Sequence, residues 1–583
     1  MINVTINGKA VAVEEGSTVL QAAEKLNIKI PTLCYNKDLP AWASCGICVF
    51  KNVDPRTGRA RMARACCTKV SEGMTIITHD NDLNKARRTV LELILANHPD
   101  DCLKCNRSGQ CELQNLAQEF GLRENRFQKI IRSQPTDDSY EEIVLDRVKC
   151  ISCGRCVEAC QHMQNVWAME YTGRGDKTVI GPIGGTKLID SPCVKCGQCA
   201  AHCPVGAITF HSSLTDVSEK LADPELTSCV SIAPSVRAAI GEEFGLPAGT
   251  VTTGKIYTAL RMLGFKHIFD TNFAADLTIM EEGTELVTRL TKGGKLPMFT
   301  SCCPGWVDYA EKNYHDYLPN LSTAKSPQQM QGAITKTSFA QQIGVSADKI
   351  YHVSVMPCTA KAWEARRDDN MKSSGAQDID RVLTTRELAK VIKLAGIDFA
   401  NLPDSEADSP IGPYSGAATI FGATGGVMEA AVRSAYFLVT GKELGDVNYE
   451  PVRGLEGIKK ATVDLGGTKV RLCVIHQLGN VEKIMNEIKE AEAAGKERPY
   501  DFIEVMACKG GCVTGGGQPY GHCDELRVKR AQALYNDDES QEVRCSHQNP
   551  LITKIYKDFF GQPNSEKAHH LLHTTYTKRE LYK

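Results

Sequence analysis

The chain has 583 residues, enough for about four domains at ~150 residues each, with 24% charged residues and a formal net charge of −2. No basic excess suits it to nucleic acid or to an acidic membrane surface, and neither is expected as a partner. The opening MINVTINGKAVAVEEG lacks the basic start and apolar run of a signal peptide, and no stretch approaches the ~18 consecutive apolar residues of a membrane span. A cytoplasmic location is therefore expected, where disulfides are disfavoured and the 25 cysteines read as chemistry rather than cross-links.

Residues 2–14 are expected to form a hairpin, INVTI and AVAVE joined at Asn7-Gly8-Lys9, because Asn-Gly takes up the positive φ angles of a type I′ turn. Ser17 is the expected cap of a short helix through Leu26. Cys34, Cys45, Cys48 and Cys66 follow in a loop-rich stretch. An apolar helix over Val90–Ala96 precedes HPDDCLKCNRSGQC, which sets His98, Cys102, Cys105 and Cys111 in sequence. From residue 150 the chain reads CISCGRCVEAC and from 193 CVKCGQCAAHCP, an internal repeat of CxxCxxCxxxC. Past about residue 225 helical runs such as TGKIYTALRMLGF alternate with short apolar strands, the pattern of an α/β domain. Linkers are expected near 132–142 and 213–226, and a tail beyond about 530.

The doubled run matches the spacing of the bacterial two-cluster ferredoxins, in which the fourth cysteine of each run ligates the other cluster. Cys150, Cys153, Cys156 and Cys203 are thus expected to hold one [4Fe-4S] centre, and Cys193, Cys196, Cys199 and Cys160 a second. Structural zinc also uses CxxC pairs, but three cysteines at two-residue gaps, twice over, argue against it. Cys34, Cys45, Cys48 and Cys66 resemble the ligands of a plant-type [2Fe-2S] domain with a β-grasp fold; Cys66 is preferred to Cys67 from the context ACCTKVSEGM. The set His98, Cys102, Cys105 and Cys111 suits zinc as well as iron, and a further [4Fe-4S] cluster is the more economical reading between two iron–sulfur domains. This order of clusters resembles the front end of large redox subunits, including those of respiratory NADH dehydrogenases. By itself it implies electron relay.

Three strands of the second half end in cysteine: PMFTSCC, VSVMPC and FIEVMAC. Because ligands bind at the carboxyl edge of open α/β sheets, Cys303, Cys358, Cys508 and Cys512 are expected to converge. TSCCPGW, VMPCTAK and EVMACKGGCVTGGGQP resemble, in order and context, the three signature motifs of the [FeFe]-hydrogenases, and IAPSVRAAIGEEFG and FGATGGVMEAA match further segments of that family. The resemblance covers nearly the whole chain.

It implies an enzyme for 2H+ + 2e− ⇌ H2, with an H-cluster: a [4Fe-4S] cube on Cys303, Cys358, Cys508 and Cys512, bridged through Cys512 to a two-iron unit carrying CO, cyanide and a dithiolate. Three further [4Fe-4S] clusters and one [2Fe-2S] cluster complete the set. The resemblance gives Lys361 and Ser235, with the backbone near Pro234, as donors to the cyanides; an ammonium suits an anionic ligand. Met356, Met506 and Phe421 would be pocket walls and Gln328 a polar neighbour, although for the methionines core filling reads equally well from residue chemistry. It also implies a proton path from Cys302 through Glu282, Ser322 and Glu285. Successive residues entering a helix point ~100° apart, so Cys302 can face away from its ligating neighbour, and Glu282 and Glu285 share a helix face. On residue chemistry alone the glutamates also read as a solvated face and Ser322 as a helix cap.

The glycines of FGATGGV and CVTGGGQP fit neither GxGxxG nor a Walker A loop and are expected to let backbone pass close to the cluster. With no NAD or flavin site legible, pyridine nucleotide and flavin would belong to partner subunits. Ferredoxin and the maturation factors that build the two-iron unit are the other expected partners. LLHTTYTKR resembles the multisubunit, NAD(P)-coupled and electron-bifurcating branch. A stand-alone ferredoxin-dependent enzyme, a pure electron-transfer subunit and a non-catalytic relative serving iron–sulfur assembly are the rivals. Cys67, Cys229, Cys473, Cys523 and Cys545 are left as buried free thiols. The expected class is multidomain α+β and α/β: a [2Fe-2S] β-grasp domain over 1–79, a histidine-ligated [4Fe-4S] segment over 80–120, a two-[4Fe-4S] ferredoxin domain over 140–212, an α/β H-cluster domain over 225–530 and a small-subunit-like tail over 531–583.

Overall fold

Asn7 and Gly8 take positive φ angles, 50° and 81°, and join β1 (Ile2–Ile6) to antiparallel β2 (Lys9–Val13), with Ile2 opposite Val13. Lys9 already belongs to β2, so the turn has the two-residue length at which a type I′ turn matches strand twist. β3 (Val49–Val53), β4 (Ala60–Arg64) and β5 (Thr75–Ile77) complete a five-stranded sheet in the order β2-β1-β5-β3-β4, with β1 and β5 parallel. Helix Val19–Lys25 buries Val19, Ala22 and Ala23 in the core of this sheet, with Val4, Ile6, Phe50 and Ile76. Its cap is Thr18, not the expected Ser17. Gln21 stands at the third helical position from Thr18 and closes a reciprocal capping box that Ser17 cannot make. The helix expected over Val90–Ala96 begins earlier and spans Asn81–Ala96, because Asp80 caps it through Leu83 N at 2.8 Å.

The structure is a computed structural model that describes residues 1–131, 134–367 and 370–582; Arg132 and Ser133 of the expected 132–142 linker lie outside the described residues. Two units are distinguished. The first comprises residues 1–163, 167–191 and 202–210, the second residues 164–166, 192–201 and 211–583. Besides the five-stranded sheet, the first unit holds β6 (Val144–Leu145), β7 (Met169–Thr172), β8 (Val179–Pro182) and β9 (Ile208–Thr209), paired as β6 with β9 and β7 with β8.

The second unit is α/β, as expected, and is built on two four-stranded sheets. β10 (Thr227–Ile232), β11 (His267–Asp270), β13 (Ile350–Met356) and β14 (Arg381–Thr384) form a parallel sheet in the order β11-β10-β13-β14. β12 (Met298–Phe299), β15 (Ile458–Leu465), β16 (Thr468–His476) and β17 (Phe502–Met506) form the other, in the order β12-β17-β16-β15. Every residue of β13 and β17 is buried, as befits parallel strands covered on both faces.

Helix Thr271–Lys292 lies against the carboxyl-terminal residues. Its Phe273, Ala274 and Leu277 share a core with Ile552, Tyr556, Leu571 and Leu572. The region expected to be a tail is therefore packed structure, with helices Pro550–Ile555 and Glu566–Leu572, and helix Asp524–Ser540 runs through residue 530. The expected 213–226 linker likewise contains helix Leu214–Leu221, whose Val217 is in the core. Among the described residues no helix is long and apolar enough to cross a membrane.

Candidate active site

Pro304 has no N–H to lose at the first position of helix Pro304–Asn313, and its ring disfavours helical backbone in the residue before it. Cys303 accordingly caps the helix in extended backbone, with φ −97° and ψ 105°. The two thiols thus precede the helix instead of entering it at a helical step, which corrects the sequence expectation. Both Cys302 and Cys303 line one cavity of about 80 Å3. Cys358, after β13, and Cys508 and Cys512, after β17, line the same cavity. β12 and β17 are parallel neighbours in one sheet while β13 belongs to the other, so two sheets direct their carboxyl ends at one point.

Burial is the largest influence on all five thiols and pushes each of them up. A metal centre that takes the protons off four of them relieves that mismatch. The remaining wall is mostly apolar and includes Pro234, Met356, Phe421 and Met506. Three polar atoms on it, Ser235 Oγ, Gln328 Oε1 and Thr271 Oγ1, are buried without a hydrogen-bond partner among the described residues, a condition that native proteins rarely leave unmet. Thiols for iron, the free hydroxyls of Ser235 and Thr271 as donors to anionic ligands and apolar walls fit an iron–sulfur cube joined to a ligand-bearing iron unit; Gln328 Oε1 can only accept. Thr271 escaped the sequence reading, since nothing in its spacing marks it.

Lys361 Nζ donates to Cys302 O at 3.0 Å and to both oxygens of Glu364 at 3.1 and 2.8 Å. Burial is the largest single influence and works against its charge, but Glu364, with Cys302 and Cys358, holds Lys361 above the usual lysine range. Glu364 also accepts from Ser326 Oγ at 2.8 Å and Gln328 Nε2 at 3.1 Å. It too was missed, though the three-residue spacing from Lys361 on a helix was a usable signal.

Glu282 and Glu285 fall on helix Thr271–Lys292. Glu282 is 1% exposed. Burial first, then the neighbouring Glu285, push its carboxyl up to about 8, and it is close enough to Cys302 to push that thiol up as well. Ser322 moderates that rise and donates Oγ–H to Glu285 Oε2 at 3.0 Å, while Glu282 Oε2 is buried without a hydrogen-bond partner among the described residues. Arg289, not singled out in the sequence, donates to Glu285 Oε1. The structure therefore joins Ser322 to Glu285 by a hydrogen bond and sets Glu282 within electrostatic reach of Cys302 and Glu285.

Cys196 lines the same cavity, and Gln198 Nε2 donates to Cys508 Sγ at 3.2 Å. Glycine permits this approach: a Cβ on Gly516 would stand 2.6 Å from Cys196 O and 2.8 Å from Gly197 Cα. Lys195 is bound to Asp308 at 2.7 Å, and Lys312 Nζ reaches Cys193 O at 2.8 Å, which ties the segment carrying Cys193, Cys196 and Cys199 to helix Pro304–Asn313. In FGATGGV, by contrast, a Cβ on Gly425 would meet Val452 O; that glycine serves packing at the start of helix Gly426–Thr440 and not the cysteine loops.

In the first unit Cys150, Cys153, Cys156 and Cys203 surround a small cavity of their own. Cys160 Sγ accepts from Ala168 N at 3.2 Å. Cys34, Cys45, Cys48 and Cys66 influence one another directly: the Cys45 thiol draws Cys34 down to about 5, and the Cys66 thiol draws Cys48 down to about 7. Cys66 is 1% exposed while Cys67 is exposed. His98 is buried, and its Nε2 has no hydrogen-bond partner among the described residues. Cys111 caps helix Glu112–Glu119 and feels the charge of Cys105, whereas Cys102 is exposed. Of the five thiols left over, Cys229, Cys473 and Cys545 are buried, but Cys67 is exposed and Cys523 half-buried, contrary to expectation, because Cys67 lies in the turn beyond β4 and Cys523 caps helix Asp524–Ser540.

Buried cysteine sets with a catalytic cavity among them define an iron–sulfur oxidoreductase. Family models match in chain order: 2Fe-2S iron-sulfur cluster binding domain over 1–81, the NADH-ubiquinone oxidoreductase-G iron-sulfur binding region over 87–126, 4Fe-4S dicluster domain over 149–207, the C-terminal domain of the iron only hydrogenase large subunit over 227–516, and iron hydrogenase small subunit over 524–579. The chain is 48% identical to the NADP-reducing hydrogenase subunit HndD of Solidesulfovibrio fructosivorans, over 100% of this chain and 99% of that one. It is 44% identical to iron hydrogenase 1 of Clostridium pasteurianum, over 99% and 100%. A structure of apo [FeFe]-hydrogenase HydA1 from Chlamydomonas reinhardtii matches 63% of this chain and 100% of its own, with a TM-score of 0.57 and 41% identity. The chain belongs to the [FeFe]-hydrogenase family: it is an oxidoreductase acting on H2, with accessory iron–sulfur domains ahead of its H-cluster domain.

Proposed function

We propose that this chain is the catalytic subunit of a cytoplasmic, pyridine-nucleotide-linked hydrogenase of anaerobic metabolism. One observation carries the reading: a fifth thiol, Cys302, shares a buried cavity with four ligand-type cysteines and adjoins a string of proton-bearing side chains. Cys303, Cys358, Cys508 and Cys512 would hold the cube of the H-cluster, with Cys512 bridging to the two-iron unit. Ser235, with the backbone at Pro234, and Lys361 would donate to its cyanides, Gln328 and Thr271 would supply further polar contacts, and Met356, Met506 and Phe421 would keep water out. When bound, the H-cluster supplies the iron at which protons and electrons combine to H2.

The chain's own residues move the protons. Cys302, protonated because it is buried, gives its proton inward and is reloaded from Glu282, whose raised affinity keeps a proton on it near neutral pH. Ser322 passes a proton between the two glutamates by rotating its hydroxyl, and Glu285 with Arg289 meets solvent. Three further [4Fe-4S] clusters and one [2Fe-2S] cluster would bring electrons, with Cys196 the nearest accessory ligand to the cavity.

Near-complete coverage by an NADP-reducing hydrogenase subunit favours partner subunits that bind NAD(P) and flavin, with ferredoxin as a second electron partner in a bifurcating arrangement. Infrared spectroscopy of the anaerobically matured protein tests the active site: CO and cyanide stretching bands are expected, and their absence from fully matured, iron-replete protein overturns the assignment. Native purification tests the complex, which fails if the chain is recovered alone.

A further inference from the structure

Beyond helix Glu566–Leu572 the backbone runs against residues 321–325. Lys325 N donates to Leu572 O and Thr574 N to Thr323 O, both at 2.8 Å. This fixes His573 beside the outer end of the proton string. Its imidazole, 4% exposed, is engaged at both nitrogens, Nδ1 at 2.8 Å from Thr323 Oγ1 and Nε2 at 3.0 Å from Glu281 Oε2. Thr323 Oγ1 in turn lies 3.3 Å from Glu285 Oε2, the oxygen that also accepts from Ser322 Oγ and Thr323 N.

The threonine hydroxyl has one proton and two neighbours able to accept it. When the imidazole is neutral and carries its proton on Nε2 toward Glu281, Nδ1 is an acceptor and takes the hydroxyl proton of Thr323. When the imidazole is charged, Nδ1–H donates to Thr323 Oγ1, and the hydroxyl proton has Glu285 Oε2 to turn to. Glu281 favours the proton on Nε2 in both states and is itself held by Tyr556 O–H and by Asn564 N at 2.8 Å. The other titratable or charged groups facing this array are His569, whose ring is tilted by 37° against His573 at 4.1 Å between centroids, Glu282, Arg289, and Tyr576, whose O–H donates to Ser322 O.

We propose that His573 is a positioning residue for the proton relay: its protonation swings the Thr323 hydroxyl onto Glu285, and the added donor makes Glu285 release its proton more readily. The inference rests on the reading of Glu285 as the outer carrier.

In the holoenzyme, the infrared carboxylate stretching band of Glu285, identified by its loss in Glu285→Gln, is followed against pH. The band is expected to shift between the neutral and the charged imidazole in the parent and in Thr323→Ser, which keeps the hydroxyl, and to stay fixed in Thr323→Val and His573→Gln. H2 evolution is expected to differ roughly fivefold between those two states of the imidazole, the size of one net hydrogen bond, in the parent and in Thr323→Ser only. A pH-dependent band shift in Thr323→Val equal to the parent's overturns the proposal. The underlying relay reading fails by a different result, parental turnover in Glu285→Gln.

Discussion

The cysteines at 34, 45, 48 and 66 and those at 303, 358, 508 and 512 are both sets of four buried or half-buried thiols, yet they are assembled in opposite ways. The first set sits in one loop-rich stretch on the five-stranded sheet, where thiol meets thiol without help from distant chain. The second is brought together by parallel strands from two different sheets. A local set depends on its own loop, whereas a set built at strand ends depends on the whole unit and inherits its buried polar neighbours. On the proposed function catalysis uses the second kind, because a fifth thiol, a lysine and proton-bearing side chains can be set around it.

The sharpest way to break the comparison is within the catalytic set. Cys303→Ser is expected to lose the H-cluster and all turnover, whereas Cys302→Ser is expected to retain the iron and the infrared bands while turnover falls about 10²–10⁴-fold, the usual contribution of a positioned proton carrier. Equal turnover in Cys302→Ser and the parent would remove that thiol from the mechanism.

Next in size is Glu364→Gln, which strands Lys361 in the cavity wall. Removing one partner of a buried ion pair costs about 3–5 kcal/mol, to be read as a loss of unfolding free energy in cofactor-free protein, and Lys361→Met added to Glu364→Gln is expected to recover most of it.

A smaller effect concerns Glu282. Its folded-state affinity is raised to about 8 from an ordinary 4.5. Its contribution to stability is therefore fully present below 4.5 and is lost as pH rises through about 8. H2 evolution is expected to fall over the upper part of that window as the carrier loses its proton, and the carboxylic carbonyl band lost in Glu282→Gln should titrate with it. The smallest contrast belongs to the local set. Cys66→Ser is expected to abolish the [2Fe-2S] electron paramagnetic resonance signal and Cys67→Ser to leave it unchanged.

Legibility in the sequence follows the same divide. The hairpin, the [2Fe-2S] set and the doubled ferredoxin run are visible because spacing along the chain is itself the constraint. Convergence of Cys303, Cys358, Cys508 and Cys512 could be anticipated from strand ends, but not that two sheets supply them, since pairing partners leave no trace in short apolar runs. The extended backbone at Cys303 was open to inference from Pro304 and was misread as helical entry. Glu364, Arg289 and Thr271 went unnoticed because their roles arise from what they face across the fold, and His573 was hidden inside a segment valued only for its resemblance.

Lys361 and Glu364 neutralise one another inside the cavity wall, so the protein needs no bound anion to tolerate a buried ammonium. On the proposed function, folding of the second unit would not have to wait for the two-iron unit, and the anionic ligands of that unit would find a lysine already aimed, needing only to share it with its resident carboxylate.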